Sequence, residues 1–434
     1  MPEIEKITYI GNQLSRKRGM VKVPTNLFSS STARCVRKFH QTFPNYTPTP
    51  LVKLAHLADM LHVSHIWIKD ESHRFGLNAF KVLGATHGLA YLIAQRINHP
   101  ATEQRGINRN IHNRPKGRGI KPLSAFGGLK MNVQELSFDL LHAPSAKEVL
   151  ADTTFVTATD GNHGRAVAWA AQQLGCNAVI YLPKGTATAR YEAIKAHGAQ
   201  TLIIDGTYDD AVQQAVEQAQ KKGWILLQDT AREGYEEIPL KIMQGYLTIL
   251  HEALEQLGGE IPTHVFVQCG VGSLAAASQA YLFELFGNER PLFSVVEPTR
   301  AACFYEPMAT HKRKPKKLSG NLNTIMAGLA CGEPSTLAWK ILRDYADVFV
   351  ACPDYVAMRG MRILGNPLQG DDRVISGESG AVTLGLLTTV LAQASCRKIA
   401  NALQLNESSK VLLLSTEGDT DPLMYRKIVW GSLE

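Results

Sequence analysis

Residues 69–85 read Lys69-Asp70-Glu71-Ser72-His73-Arg74-Phe75-Gly76-Leu77-Asn78-Ala79-Phe80-Lys81-Val82-Leu83-Gly84-Ala85. A strand over His65–Lys69 ends near Asp70, a polar loop follows, and a helix is expected to open around Asn78. Lys81 then falls just inside the helix N-terminus, between the apolar Phe80 and Val82. Partial desolvation and the positive end of the helix dipole both lower an amine's pKa there. An amine that must form an imine needs that shift. On local grounds alone, the same lysine also reads as a surface residue whose stem lies along apolar neighbours.

Outward from this stretch, strand-like and helix-like runs alternate. Thr153–Ala158, Ala178–Leu182, Thr201–Ile204, Trp224–Gln228, His264–Gln268, Leu292–Glu297 and Lys410–Ser415 read as short, mostly buried strands. Helical patterns occupy Ala79–Arg96, Arg165–Leu174, Tyr208–Lys222, Leu274–Phe286 and Gly380–Ala394. Such alternation predicts an α/β fold with parallel sheets covered by helices on both faces. Ligands then gather beyond the carboxyl ends of the strands. A length of 434 residues suits two or three domain-sized units.

Bulk properties narrow the function classes. No apolar run reaches the length of a membrane span, and the first residues lack the pattern of a secretory signal. Seven scattered cysteines without a C-x-x-C pair fit neither a disulfide framework nor a zinc site. A cytoplasmic enzyme without metal is the expectation. The net charge of +7 invites a nucleic-acid reading. However, residues 96–130 carry eight basic side chains against the single acid Glu103, which equals the whole excess. That segment lacks periodicity and aromatic interleaving, so it reads as a basic surface insertion at about 98–128. Neither a nucleic-acid nor a membrane partner is expected.

Three further motifs carry chemistry. Thr157-Ala158-Thr159-Asp160-Gly161-Asn162-His163-Gly164-Arg165 is a strand end, a tight turn and a helix start. Asn162 is placed to hydrogen-bond a ligand oxygen, and Asp160 reads either as a helix N-cap or as a catalytic carboxylate. Gln268-Cys269-Gly270-Val271-Gly272-Ser273-Leu274 is a strand, a small-residue loop and an apolar helix, a cradle for a phosphate. A dinucleotide site is the competing reading. It has an acid at Glu297 but Ala275 where a third glycine belongs. Finally, Leu412-Leu413-Leu414-Ser415-Thr416-Glu417-Gly418-Asp419 is a buried strand ending in hydroxyls and acids. It is either a simple turn or a hydroxyl facing a heteroaromatic nitrogen.

Taken in order, these four motifs resemble the modules of the fold-type II pyridoxal-phosphate enzymes, the tryptophan synthase β and threonine dehydratase group. The finer resemblance is to the diaminopropionate ammonia-lyases. It is carried by residues 69–81 and 159–165, by Gln-Asp-Thr-Ala at 228–231, and by Thr-Ile-Met-Ala-Gly-Leu-Ala-Cys-Gly-Glu-Pro at 324–334. Ile-Ser-Gly-Glu-Ser-Gly-Ala at 375–381 and Ser-Thr-Glu-Gly-Asp-Thr-Asp at 415–421 complete it. It runs from about Phe39 to Trp430, with the basic insertion as the exception.

The resemblance implies two three-layer α/β domains with mainly parallel twisted sheets and the cofactor, pyridoxal 5'-phosphate, in the cleft between them. Residues 1–80 with 236–434 are expected to form the larger domain and 81–235 the smaller. It implies that Lys81 holds the cofactor as a Schiff base with Phe80 packed beside it. Asn162 would bond the ring hydroxyl, Gly270, Val271, Gly272, Ser273 and Leu274 the phosphate, and Ser415, with Thr416 next to it, the pyridine nitrogen. The implied reaction is α,β-elimination of D- and L-2,3-diaminopropionate to pyruvate and two ammonia, by a homodimer.

General dehydratases of this fold carry Ser, Arg and Ser where this chain has Ala79, Leu83 and Asp160. A carboxylate next to the cofactor adds a base and a counter-charge for a second substrate ammonium. Hence Lys81 is expected to serve the L-isomer, Asp160 the D-isomer, and Asp229 to orient the β-amino group. The alternative is a serine/threonine or D-serine dehydratase. Cys303 and Cys331 are expected on loops near the substrate entrance, either as small buried residues or as a bridge.

Overall fold

The computed structural model describes residues 5–16, 25–98, 136–310 and 313–431. The basic insertion expected at about 98–128 lies almost wholly outside these described residues.

Eleven strands are present among the described residues: β1 (Thr8–Gly11), β2 (Leu51–Lys53), β3 (His65–Asp70), β4 (Thr154–Ala158), β5 (Asn177–Leu182), β6 (Gln200–Ile203), β7 (Ile225–Leu226), β8 (His264–Gln268), β9 (Leu292–Pro298), β10 (Val348–Cys352) and β11 (Lys410–Ser415). The helices that carry the core and the site are α1 (Val82–Asn98), α2 (Asn162–Leu174), α3 (Tyr208–Lys222), α4 (Glu237–Gly245), α5 (Ser273–Phe286) and α6 (Glu378–Ala392).

The chain divides into two compact units. One comprises Met1–Arg34, Thr47–Phe80 and Tyr246–Glu434, the other Cys35–Tyr46 and Lys81–Gly245. The second unit extends beyond residue 235 because α4 packs along α1.

In the first unit seven strands run in the order β1-β10-β9-β8-β11-β3-β2. The inner pairs are parallel, while β1 and β2 lie antiparallel at the two edges. The parallel strands are buried on both faces, so they read as short apolar runs such as Val265-Phe-Val267 within β8. Alternate residues, including Ile66, Ile68, Val348, Val350, Val411 and Leu413, share one face of the sheet and one core cluster with α6. That helix is buried along nearly its whole length, which is why it is apolar all round.

In the second unit four parallel strands run β6-β5-β4-β7. Val156, Ala158, Val179 and Tyr181 alternate along β4 and β5 to meet Ala211, Ala215 and Ala219, four residues apart on α3. The start of α3 is fixed by a capping box between Thr207 and Asp210, and its end by Gly223 in the left-handed region.

One boundary differs where it matters. The helix after the polar loop starts at Val82, not near Asn78, and the Lys81 carbonyl accepts the first helical hydrogen bond, from Ala85 N at 3.1 Å. Lys81 is therefore the residue from which the helix springs. The backbone of Asn78–Phe80 is unavailable for helix because it pairs with Thr416–Gly418.

Candidate active site

In the second unit Lys81, Asp229 and His163 come together. Lys81 Nζ donates to Asp229 Oδ2 at 2.6 Å, and the Lys81 side chain is only 17% exposed. His163 Nε2 lies 2.8 Å from the Leu227 carbonyl. A carbonyl only accepts, so Nε2 carries a hydrogen, and Nδ1 faces Asp229 Oδ2 at 3.8 Å. Burial holds this imidazole below its usual range, against the pull of Asp229; Lys81 lowers it further and Asp160 raises it. The three residues chosen from sequence as catalytic thus all act electrostatically on one buried ring.

Asp229 is set in place by its neighbours. The Gln228 side-chain amide continues the strand pairing past β7, accepting from Ala158 N at 3.1 Å and donating to Ala158 O at 3.1 Å. Thr157 Oγ1 donates to the same amide oxygen at 2.8 Å, and Tyr235 Oη receives Gln228 N at 3.0 Å. Burial by itself would raise the Asp229 pKa, but His163 and Lys81 override it and hold the carboxyl at about 2. Asp160 and Asn162 flank Gly161 at the start of α2. The N-cap position belongs to Gly161 and no side chain caps this helix. The capping reading of Asp160 is therefore not what the structure contains; the carboxyl is half-buried and has no hydrogen-bonding partner among the described residues.

The first unit holds the other predicted residues. Phe80 is buried, its ring 4.8 Å from that of Tyr246. Gly270 to Leu274 follow β8 into α5, whose N-cap is Gly272 at φ +93°. A Cβ there would meet Phe304 Cζ at 2.4 Å, so both the turn and its packing require glycine. Without a capping side chain, the first turn of this 14-residue helix presents its N–H groups to an anion. Ser415 and Thr416 are buried at the carboxyl end of β11. Ser415 Oγ donates to Ser376 Oγ at 2.9 Å, and Gln268 Nε2 donates to Thr416 Oγ1 at 2.7 Å.

Three residues beside these were passed over in the sequence: His163, Ser376 and Gln268. Each stands inside a motif already quoted, and His163 directly follows Asn162. The available signal was a polar side chain at a strand end or helix start, where burial demands a partner.

A model of the family described as pyridoxal-phosphate dependent enzymes matches residues 126–417. The chain is 44% identical over 431 residues to the diaminopropionate ammonia-lyase of Salmonella typhimurium, with 98% of each chain covered. The chain belongs to the diaminopropionate ammonia-lyase family. The crystal structure of the holo diaminopropionate ammonia lyase of Escherichia coli superposes with a TM-score of 0.84 at 42% identity, covering 98% of this chain and 97% of that one. The same Escherichia coli enzyme in complex with D-serine gives 0.82, with the same identity and coverage.

The cofactor of this family member is pyridoxal 5'-phosphate, and the residues present fit it. A largely shielded amine is available for the aldehyde, an uncapped helix behind a glycine loop for the phosphate, and a buried hydroxyl at a strand end for the ring nitrogen. Two thiols approach the glycine loop: Cys303 Sγ donates to Gly270 O at 3.5 Å, and Cys331 Sγ lies 3.1 Å from where a Gly270 Cβ would stand. Both are free thiols, so the alternative of a bridge is not what the structure contains.

The Lys81–Asp229 pair has a consequence for acid stability. Asp229 has a folded pKa of about 2 against an ordinary 3.8. Its contribution is therefore complete above about pH 4 and is lost as pH falls toward 2. In cofactor-free protein, denaturant unfolding at pH 6 and at pH 2 should show wild type losing on the order of 2 kcal/mol more than Asp229→Asn. Equal losses would contradict the ion pair.

Proposed function

We propose that this enzyme is an ammonia-lyase that eliminates ammonia from both D- and L-2,3-diaminopropionate, giving pyruvate and a second ammonia. The observation that carries the reading is the division of labour between two carboxyls. Asp229 is bound to Lys81 and held at about 2, which makes it a poor base and a lasting counter-charge. Asp160 is half-buried and uncommitted. A substrate with two ammonium groups needs both a charge partner and a base; serine and threonine need no second counter-charge.

Bound pyridoxal phosphate supplies an aldehyde that condenses with amines and a conjugated ring that takes up the electron pair left at Cα. Lys81 Nζ holds the cofactor between turnovers. Displaced by substrate, the amine would take and keep the Cα proton of the L-isomer, and the β-ammonium would leave as ammonia with its three hydrogens, the C–N electron pair departing with it. Asp160 removes the Cα proton of the D-isomer from the opposite face, because a base has to lie within about 3 Å of the proton it takes. Asp229 receives the β-ammonium in exchange for the Lys81 amine. Asn162 orients the ring through its hydroxyl, the amides of Gly270 to Leu274 hold the phosphate, and Phe80 packs beside Lys81. Ser415, with Thr416 behind it, meets the pyridine nitrogen; a neutral hydroxyl leaves that nitrogen without a full charge, which favours prompt elimination.

A homodimer and a cytoplasmic setting belong to the same reading. Family resemblance supports the first, and seven cysteines all present as free thiols support the second. Among the described residues no single helix is long and apolar enough to cross a membrane.

The test is product stoichiometry. Diaminopropionate of either hand should yield two ammonia per pyruvate, and D- or L-serine one ammonia per pyruvate at a much lower rate. Serine or threonine turning over faster than diaminopropionate would favour the dehydratase alternative.

A further inference from the structure

The three residues before Lys81 are bound to the four residues after Ser415. Phe80 N donates to Thr416 O at 3.1 Å, Ala79 bridges Glu417 antiparallel, and Gly418 N donates to Asn78 O at 3.0 Å. Asn78 closes this short ladder with its side chain, Nδ2 donating to Asp419 Oδ1 at 3.0 Å. Its backbone is left-handed, with φ +57°, a region that Asn enters more readily than any other side-chain-bearing residue. Its Oδ1 lies over Gly418 so closely that a Cβ there would stand 2.0 Å away. Both ends of the ladder are anchored. Upstream, Leu77 N donates to the carbonyl of Arg74, whose buried guanidinium is paired with Glu71 and Glu252. Downstream, Glu417 accepts from Gly377 N and Ser379 N through its carbonyl and its carboxylate.

A left-handed Asn in a loop ordinarily does no more than turn the chain. Here the turn places the three residues that lead into the lysine on the segment that follows Ser415, and the side chain joins the two. We infer that Asn78 is a positioning residue: with Gly418 and Asp419 it forms a clip that fixes the attachment point of Lys81 to the strand end bearing Ser415. This rests on Lys81 being the cofactor anchor. Loosening the clip lets the amine wander from the aldehyde it must meet, and misplacement by about 1 Å can cost on the order of a hundredfold. The clip should therefore govern how tightly the cofactor is held as well as how fast substrate turns over.

The amide–carboxylate pair allows a reciprocal test. Asn78→Asp sets two carboxylates against each other; the double variant Asn78→Asp with Asp419→Asn restores one amide and one carboxylate with the roles exchanged. Cofactor dissociation constants are read by absorbance titration of the cofactor-free proteins, with folding checked by circular dichroism. Asn78→Asp should bind the cofactor about tenfold or more weakly at pH 8. The loss should shrink at pH 5.5, where one proton is shared across the pair, and the double variant should recover most of it at pH 8. Asp419→Ala removes the partner without touching the left-handed turn and should show a similar loss, so the test survives if Asn78→Asp does not fold. Wild-type affinity in Asn78→Asp or Asp419→Ala, or a double variant no better than Asn78→Asp, would overturn the clip. Lys81→Ala run alongside keeps the two ideas apart: if it retains the imine band the anchor itself is wrong, whereas if it loses the band while the Asn78 and Asp419 variants match wild type, only the clip is wrong.

Discussion

Replacing Lys81 with Ala is expected to leave a folded protein that shows no imine absorbance after gel filtration and turns over either isomer at least about 10⁴-fold more slowly. The size follows from losing a nucleophilic attachment and a general base in one step. Deleting the amine also removes a cation that contacts Asp229, a carboxyl only 5% exposed. A fall in stability will therefore accompany the loss of activity, because a buried carboxylate that loses its ion-pair cation is less well compensated. Lys81→Arg separates the two effects. It keeps a cation opposite Asp229 but cannot form an imine, so it should recover stability and none of the absorbance. A persistent imine band in Lys81→Ala would remove the basis of the assignment.

Asp160→Asn should produce the second largest change, and a lopsided one. Turnover of D-2,3-diaminopropionate should fall by about 10² to 10⁴, the usual worth of a positioned general base, while the L-isomer loses less than about tenfold. The asymmetry is the informative part. Asp160 is uncommitted at the start of α2, so the substitution removes no hydrogen bond that holds the fold. Equal losses on both isomers would mean that Asp160 serves binding rather than one face of the chemistry.

The alternation of strands and helices was legible because parallel strands buried on both faces are runs of apolar residues, and α3 announces itself through Thr207, Asp210 and Gly223. The edge strands β1 and β2 were not. They are four and three residues long, half-exposed, and owe their conformation to neighbours remote in sequence. β10 was missed for another reason: Val348–Cys352 is an apolar run separated from the preceding helix by too little polar sequence to mark a boundary. The start of α1 was placed too early because local pattern favours helix from Asn78 onward. Pairing with Thr416–Gly418, more than 330 residues away, overrides that preference.

The site shows the same division. Lys81, Asp160, Asn162 and the Gly270–Leu274 loop lie at strand ends and helix starts, yet each also has a bland local reading; their order along the chain singles them out, and Asp229 is singled out by the resemblance of Gln-Asp-Thr-Ala at 228–231. His163 does not, since nothing in its sequence says that one ring nitrogen is tied to Leu227 while the other faces Asp229. Ser376 is hidden likewise, being brought to Ser415 across 39 residues of chain. Contacts of this kind are made by the fold and have no local pattern to read.

The most direct test of the Lys81 assignment is borohydride reduction of the holoenzyme followed by peptide mapping. Hydride addition turns the imine into a stable secondary amine, so the residue that carries the cofactor keeps a pyridoxyl group through digestion. That group is expected on the peptide containing Lys81 and on no other. A pyridoxyl group on a different lysine, or an unmodified Lys81 in fully bleached enzyme, would contradict the assignment.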